Sequence, residues 1–239
     1  VRRKAVRWSK RAVRAGIWLK RMSKITFWKK DSILRTKTEL VYTGRYTDWT
    51  REAILAEVEK QMKPSRFQHV LRVEACSIAL AKKYGASLEA CSLAALLHDF
   101  AKEHDAKSMK KIVLSQALDS EMTGYGSEIM HGPVGAYYAE KVFGIMDRAI
   151  LDAIRQHTIG GEVMTLIGKV LFIADYIEPG RTFTGVDEAR RLAEISLDEA
   201  AYFKIEKTII HLVKKELPIY PGTIHVYNSW IQRKVGNSE

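Results

Sequence analysis

Cysteine and proline are scarce in this 239-residue chain, with 2 Cys and 5 Pro. The two thiols, Cys76 and Cys91, exclude a disulfide framework and a cysteine-rich zinc site, and they suit a reducing compartment. With only 15 Gly beside so few prolines, collagen-like and low-complexity architectures are excluded as well. Long apolar runs are missing. A membrane span needs about 18 apolar residues or more, and the best candidate, Val163 to Ala174, is short and contains Lys169. Lys20 and Arg21 interrupt the only apolar patch near the start, which argues against a secretory signal. Clean apolar–polar alternation between hairpin turns is also absent, which removes the usual signal for strands. What is present is 46% hydrophobic and 28% charged, the balance of an ordinary globular protein with enough chain to bury a core.

Acidic residues are nearly absent from one part of the chain. Residues 1–45 hold 15 Lys/Arg against 2 Asp/Glu, while the remainder holds 24 against 26. The overall charge of +11 therefore belongs to a tail, and a slightly acidic body follows it. Trp8, Trp18 and Trp28 are interleaved with the cations of the tail. That pattern fits a basic amphipathic helix for an anionic membrane or an electrostatic arm for nucleic acid. It equally fits a disordered extension, or an upstream stretch that precedes a later start at Met22. Two segments result: a basic extension over 1–46, expected to be disordered or partly helical, and a single domain over 47–239.

The body reads as helices almost throughout. Asp48 or Thr50 caps a first helix to about Met62, closed by Pro64. Phe67–Tyr84 carries apolar residues at helical spacing and stops at Gly85. Ser87 caps a strongly apolar helix from Leu88 to about Lys102, and a short helix covers Ala106–Leu118. Residues 120–126 read as a loop. Pro133 suits the first turn of a helix reaching Phe143. Asp147 caps a helix through His157, ended by Gly160 and Gly161. Val163–Ile177 is an apolar helix. Ser196 with Glu199 forms a capping box for a helix to about Leu217, and Thr223–Val235 is the last. The fold class is all-α, one helical bundle.

Polar side chains interrupt this apolar pattern at particular places. His98 and Asp99 end a run of Leu and Ala, where an ionised carboxylate is costly unless something neutralises it. Adjacent helical residues diverge by about 100°, so this pair flanks a point between helices, and Asp99 can bridge two ions. His69 lies early in its helix, His131 just before Pro133, His157 near a helix end, and Asp175 on a buried helix. Imidazole and carboxylate are the usual donors to Fe, Mn, Co, Ni and Zn. Four His and two Asp would hold two ions and leave room for water, which when metal-bound becomes a nucleophile near neutral pH. Taken singly, each of these residues is more often structural, and His104, His211 and His225 stay in that class. The ordered set is what points to hydrolysis at phosphorus.

That order resembles the HD-domain metal-dependent phosphohydrolases. The local words Arg66-Phe-Gln-His69, Leu97-His-Asp-Phe-Ala-Lys102, His131-Gly-Pro-Val-Gly-Ala136, Ala153-Ile-Arg-Gln-His157-Thr-Ile-Gly160 and Ile173-Ala-Asp-Tyr-Ile-Glu-Pro-Gly-Arg181 resemble the YqeK-type symmetrical bis(5'-nucleosyl)-tetraphosphatases. The resemblance spans about Thr50 to Val235 and leaves the tail out. It implies hydrolysis of diadenosine tetraphosphate and related dinucleoside tetraphosphates at the central anhydride, giving two ADP (or GDP-type products). It also implies a di-iron centre and a homodimer; the donor chemistry leaves Mn, Co or another divalent metal as alternatives, and the two thiols give the expectation of a cytoplasmic enzyme. Under it His69, His98, Asp99 and Asp175 hold one ion, and Asp99 bridges to a second held by His131 and His157. Asp99 and Lys102 are the expected catalytic residues. Arg66, Lys102, Gly132, Thr158 and Arg181 are the expected substrate contacts: the cations on phosphate, Gly132 and Thr158 at the mouth. Two rivals remain. One is another HD-type activity, whether nucleotidase, cyclic-nucleotide phosphodiesterase or alarmone hydrolase. The other is a nucleotide- or RNA-binding regulator with a vestigial site.

Overall fold

The computed structural model describes residues 40–236. Most of the basic extension, and with it the expectation of disorder or partial helix there, lies outside the described residues. Among the described residues there are ten α-helices and no strand, as expected for the all-α class. In chain order they are α1 (Arg51–Lys60), α2 (Pro64–Tyr84), α3 (Leu88–Leu97), α4 (Ala106–Ser115), α5 (Ser127–Lys141), α6 (Arg148–Gln156), α7 (Leu166–Ile177), α8 (Val186–Ala193), α9 (Leu197–Lys214) and α10 (Pro221–Gly236). None of them is long and apolar enough to cross a membrane.

Helix α3 is the axis of the bundle. Every residue from Glu89 to Leu97 is buried, the pattern of a helix surrounded by others rather than lying on a surface. It packs against α1, α2, α5, α6 and α7. Leu93, Leu96 and Leu97 are fully buried, as are Val70, Val73, Ile150, Ile154 and Leu171 on the helices packed against α3, and each such side chain stabilises the fold by about 1.5–3 kcal/mol through burial. A satellite core of Met109, Val113, Met122, Met130, Val134 and Tyr220 lies under α4 and the 3₁₀ turn Ser120–Gly124.

Several boundaries differ from the sequence expectation. Helix α3 stops at Leu97 rather than Lys102. Beyond it the chain tightens into i→i−3 bonds, Phe100 N–H to Leu97 O (3.1 Å) and Lys102 N–H to Asp99 O (2.9 Å). Helix α5 starts at Ser127, after Gly126 with φ +84°, so Pro133 sits inside it rather than in its first turn. Pro133 forfeits one backbone hydrogen bond, and the continued burial of Met130, Val134, Ala136 and Ala139 offsets that loss. Thr50, not Asp48, caps α1, and Pro64 opens α2 at its first turn. Ser196 caps α9, but the Glu199 carboxylate pairs with Lys234 instead of completing the capping box. Helix α8 was not anticipated: with only Val186, Ala189 and Ala193 buried, its apolar pattern is too thin to read.

Residues just before the body are tied to it. The Tyr42 and Ser92 hydroxyls are hydrogen-bonded at 2.8 Å, and the Thr43 N–H and hydroxyl both donate to the Glu89 carboxylate.

Candidate metal centre

Five segments converge beside the end of α3. Helix α2 supplies Arg66, His69 and Arg72, and the tightened turn after α3 supplies His98 and Asp99. Helix α5 supplies His131, the end of α6 supplies His157 and Thr158, and α7 supplies Asp175, with Glu178 at its C-terminus. Close approach of α5 depends on a missing side chain. A Cβ on Gly132 would lie 2.9 Å from Arg155 O and 3.1 Å from Ile154 O. The bare Cα lets α5 lie against α6, and His131 Nε2 comes within 2.9 Å of His157 Nε2. Gly132, expected at the mouth, is thus buried at this helix contact.

The four imidazoles share one orientation. Nδ1–H donates to Glu178 Oε1 from His69 (3.1 Å), to Ala95 O from His98 (2.7 Å), to Ser127 O from His131 (3.2 Å) and to Ile154 O from His157 (2.7 Å). Carbonyl and carboxylate oxygens only accept, so each neutral ring keeps its proton on Nδ1 and aims the Nε2 lone pair inward. These lone pairs form two triplets of donor atoms with Asp99: His69, His98 and Asp99, and Asp99, His131 and His157, each within 4.8 Å. The two oxygens of Asp99 divide between them. Oδ2 is 3.6 Å from His98 Nε2 and 3.9 Å from His69 Nε2, while Oδ1 is 3.4 Å from His131 Nε2 and 3.7 Å from His157 Nε2. Asp175 stands outside both triplets and joins the first through His69, Oδ1 to Nε2 being 3.2 Å.

This donor set fits divalent metal. His98 Nε2 is buried without a hydrogen-bond partner, a costly state for a polar atom. Two Nε2 lone pairs 2.9 Å apart, as at His131 and His157, repel unless a proton or a cation lies between them. Burial holds His98 in its neutral form by pushing it down to about 4, and it lowers His157 too. Burial alone would raise the Asp99 carboxyl, but His98, His131 and His157 outweigh it and hold it well below the usual range. Asp175 is likewise held down, against burial, by Lys204, His69 and Arg181. Neutral His98 and His157 and ionised Asp99 and Asp175 are the forms that bind metal, whereas His69, which burial alone would lower, is raised by the carboxylates of Asp175 and Glu178.

The expected substrate contacts fall in different places. Arg66 Nη1 donates to Asp99 Oδ2 (2.9 Å), and Arg181 Nη2 to Asp175 Oδ1 (2.6 Å). The Thr158 hydroxyl is 3.3 Å from both His131 Nε2 and His157 Nε2. Lys102 turns its ammonium to the Glu128 carboxylate in the first turn of α5.

Three residues at the centre escaped the sequence reading. Buried Glu178 accepts from His69 and, through Oε2, from Arg72 Nε at 2.7 Å, the carboxylate–histidine arrangement that orients a metal-binding ring. Burial opposes its charge, yet His69, Arg72 and the Gly180 N–H bring it to about 2. Lys204 is buried against Asp175. Its signal was present: Leu197, Ala200, Ala201, Lys204 and Ile205 follow one helix face, and a lysine on an apolar stripe requires a partner.

An all-α bundle holding His and Asp donors in this order is the HD class, and the HD domain model matches residues 66–180. The chain is 41% identical over 181 residues to a symmetrical bis(5'-nucleosyl)-tetraphosphatase of Bacillus subtilis, covering 76% of this chain and 97% of that protein. It is 40% identical over 178 residues to the protein of that name from Halalkalibacterium halodurans, covering 74% and 95%. A crystal structure from Clostridium acetobutylicum, described as a predicted HD superfamily hydrolase involved in NAD metabolism, superposes with a TM-score of 0.74. It has 34% identity and covers 77% of this chain and 98% of that one. The chain belongs to the symmetrical bis(5'-nucleosyl)-tetraphosphatase family of HD-domain hydrolases.

Proposed function

We propose that this chain hydrolyses diadenosine tetraphosphate and related dinucleoside tetraphosphates symmetrically, releasing two ADP. The observation that carries the reading is the pair of donor triplets sharing Asp99, in a chain 41% identical to a tetraphosphatase over nearly all of that relative's length. His69, His98, Asp99 and Asp175 hold one cation, and Asp99, His131 and His157 hold the other. Iron is the occupant that the family resemblance supports, and the same donors suit Mn or Co. The chemistry divalent cations supply at such a centre is activation of water and neutralisation of phosphoryl charge.

The chain's own groups bind and orient the substrate. Arg66 and Arg181 border the two carboxylates and present N–H donors suited to bidentate contact with phosphate oxygens. Thr158 offers its hydroxyl beside His131 and His157. Lys102, paired with Glu128, contributes a cation toward the leaving phosphates. Gly132 serves the site by the close helix contact it permits. The catalytic domain is residues 47–239, preceded by the basic segment 1–46, whose charge suits nucleic acid or an anionic membrane and whose Tyr42 and Thr43 are hydrogen-bonded to the domain. A homodimer goes with the family resemblance, and a cytoplasmic setting goes with the two free, buried thiols Cys76 and Cys91.

The test is product analysis. The purified chain, supplied with Fe²⁺ or Mn²⁺ and diadenosine tetraphosphate, is expected to release ADP alone on ion-exchange chromatography. Release of ATP with AMP, or turnover confined to mononucleotides, cyclic nucleotides or alarmones, overturns the reading.

A further inference from the structure

Helix α9 contributes none of the six expected ligands, yet it sends one charged side chain under the centre. Lys204 is buried among apolar neighbours, with its ammonium 3.8 Å from the centroid of the Phe172 ring. An ammonium carries three N–H donors and no acceptor, and leaving it in a protein interior is costly without partners. Three oxygens surround it. It donates to His157 O at 3.1 Å and Phe172 O at 2.7 Å, and Asp175 Oδ2 lies 3.5 Å away.

The identity of those acceptors is informative. His157 belongs to the second donor triplet, and its carbonyl follows the last turn of α6, where helix carbonyls lack partners within the helix. Phe172 O lies one turn before Asp175 on α7, and Asp175 meets His69 of the first triplet. One ammonium therefore ties the backbone of a residue in one half of the centre to the carboxylate and helix that complete the other half. A hydrophobic side chain of similar length would fill the same volume at lower desolvation cost, but it would leave both halves untied.

We infer that Lys204 is a positioning residue that holds the His157 half and the Asp175 half of the centre at the spacing at which Asp99 serves both. This rests on the two-cation reading of the site. Loss of the tie lets α6 and α7 relax apart and weakens one cation position more than the other. Partners of metal-binding residues typically contribute roughly 10–100-fold in affinity, and an effect in that range is expected here.

The test uses the whole chain, stripped of metal and titrated with Mn²⁺, with uptake and electron paramagnetic resonance as readouts. The wild-type chain is expected to take up two ions with a spin-coupled signal. Lys204→Met is expected to keep its helical circular dichroism, bind its second ion roughly 10–100-fold more weakly, and show an uncoupled spectrum at low loading. Lys204→Gln keeps N–H donors without charge and falls between the two. Leu197→Ala, a core truncation on the same helix, is expected to lower the melting temperature while both ions stay coupled. A Lys204→Met chain with two coupled ions at unchanged affinity overturns the role of Lys204 and leaves the two-cation reading standing. A wild-type chain that takes up no Mn²⁺ overturns that reading and the inference with it. If neither Lys204 variant folds without metal while Leu197→Ala does, Lys204 serves the fold and the inference fails.

Discussion

Asp99 directs one oxygen to each half of the centre, and Arg66 adds a hydrogen bond to Oδ2. Among the described residues, Asp99 is the member common to both triplets. Asp99→Ala is therefore expected to remove both cations and abolish ADP release, as read by metal analysis and product chromatography. Retained metal with lost turnover would show that Asp99 is not shared. Glu178 acts one step further out, orienting His69 through Nδ1. Glu178→Gln keeps the shape and weakens the acceptor, so metal affinity is expected to fall roughly 10–100-fold with the fold intact; a metal titration identical to wild type would exclude the relay. Residues whose chemistry stands out from an apolar background, His98 and Asp99 above all, were legible in the sequence. Glu178 was not, because it draws its meaning from His69, distant along the chain; Lys204 left a signal on its apolar helix face, but its partner His157 is distant along the chain too.

At the scale of helices, the centre is built where regular structure ends. Helix α3 tightens as it reaches Asp99, and His157 follows the last residue of α6. Helix α5 runs through its ligand instead, with His131 inside and Gly132 against the Ile154 and Arg155 carbonyls. A methyl there cannot be absorbed by rotating a side chain, because the opposing atoms are backbone. Gly132→Ala is expected to destabilise the fold by about 1–3 kcal/mol, the usual range for overpacking. It is also expected to weaken the His131–His157 cation position, as measured by denaturant titration and Mn²⁺ uptake. Unchanged stability would mean that α5 shifts freely. Helix existence was readable where caps and apolar periodicity coincide, as at Ser87 and Asp147. It was misread at Pro133, whose local preference for a first turn yields to burial on both sides of it, and it was missed at α8, which buries too little.

Across the whole molecule, one buried helix supports the core and ends in the ligands His98 and Asp99. Leu96→Ala in α3 is expected to cost about 2–5 kcal/mol, a large share of the roughly 5–15 kcal/mol by which a domain is stable. Chemical denaturation measures this directly, and a cost under 1 kcal/mol would place the core elsewhere. Chelating the metal is expected to lower the melting temperature, since a ligand at 100 times its dissociation constant stabilises by about 2.7 kcal/mol. The all-helical class, the order of the ligands and the basic extension are properties of pattern along the chain, and periodicity, spacing and composition suffice to read them. Which donors face each other is a property of distance in space. The split of Asp99 between two triplets, the glycine contact between α5 and α6, and the ammonium of Lys204 beneath both halves follow from packing. Hydrophobic burial is non-directional, and so the pattern says that the helices come together without saying which side chains they bring within a few ångströms.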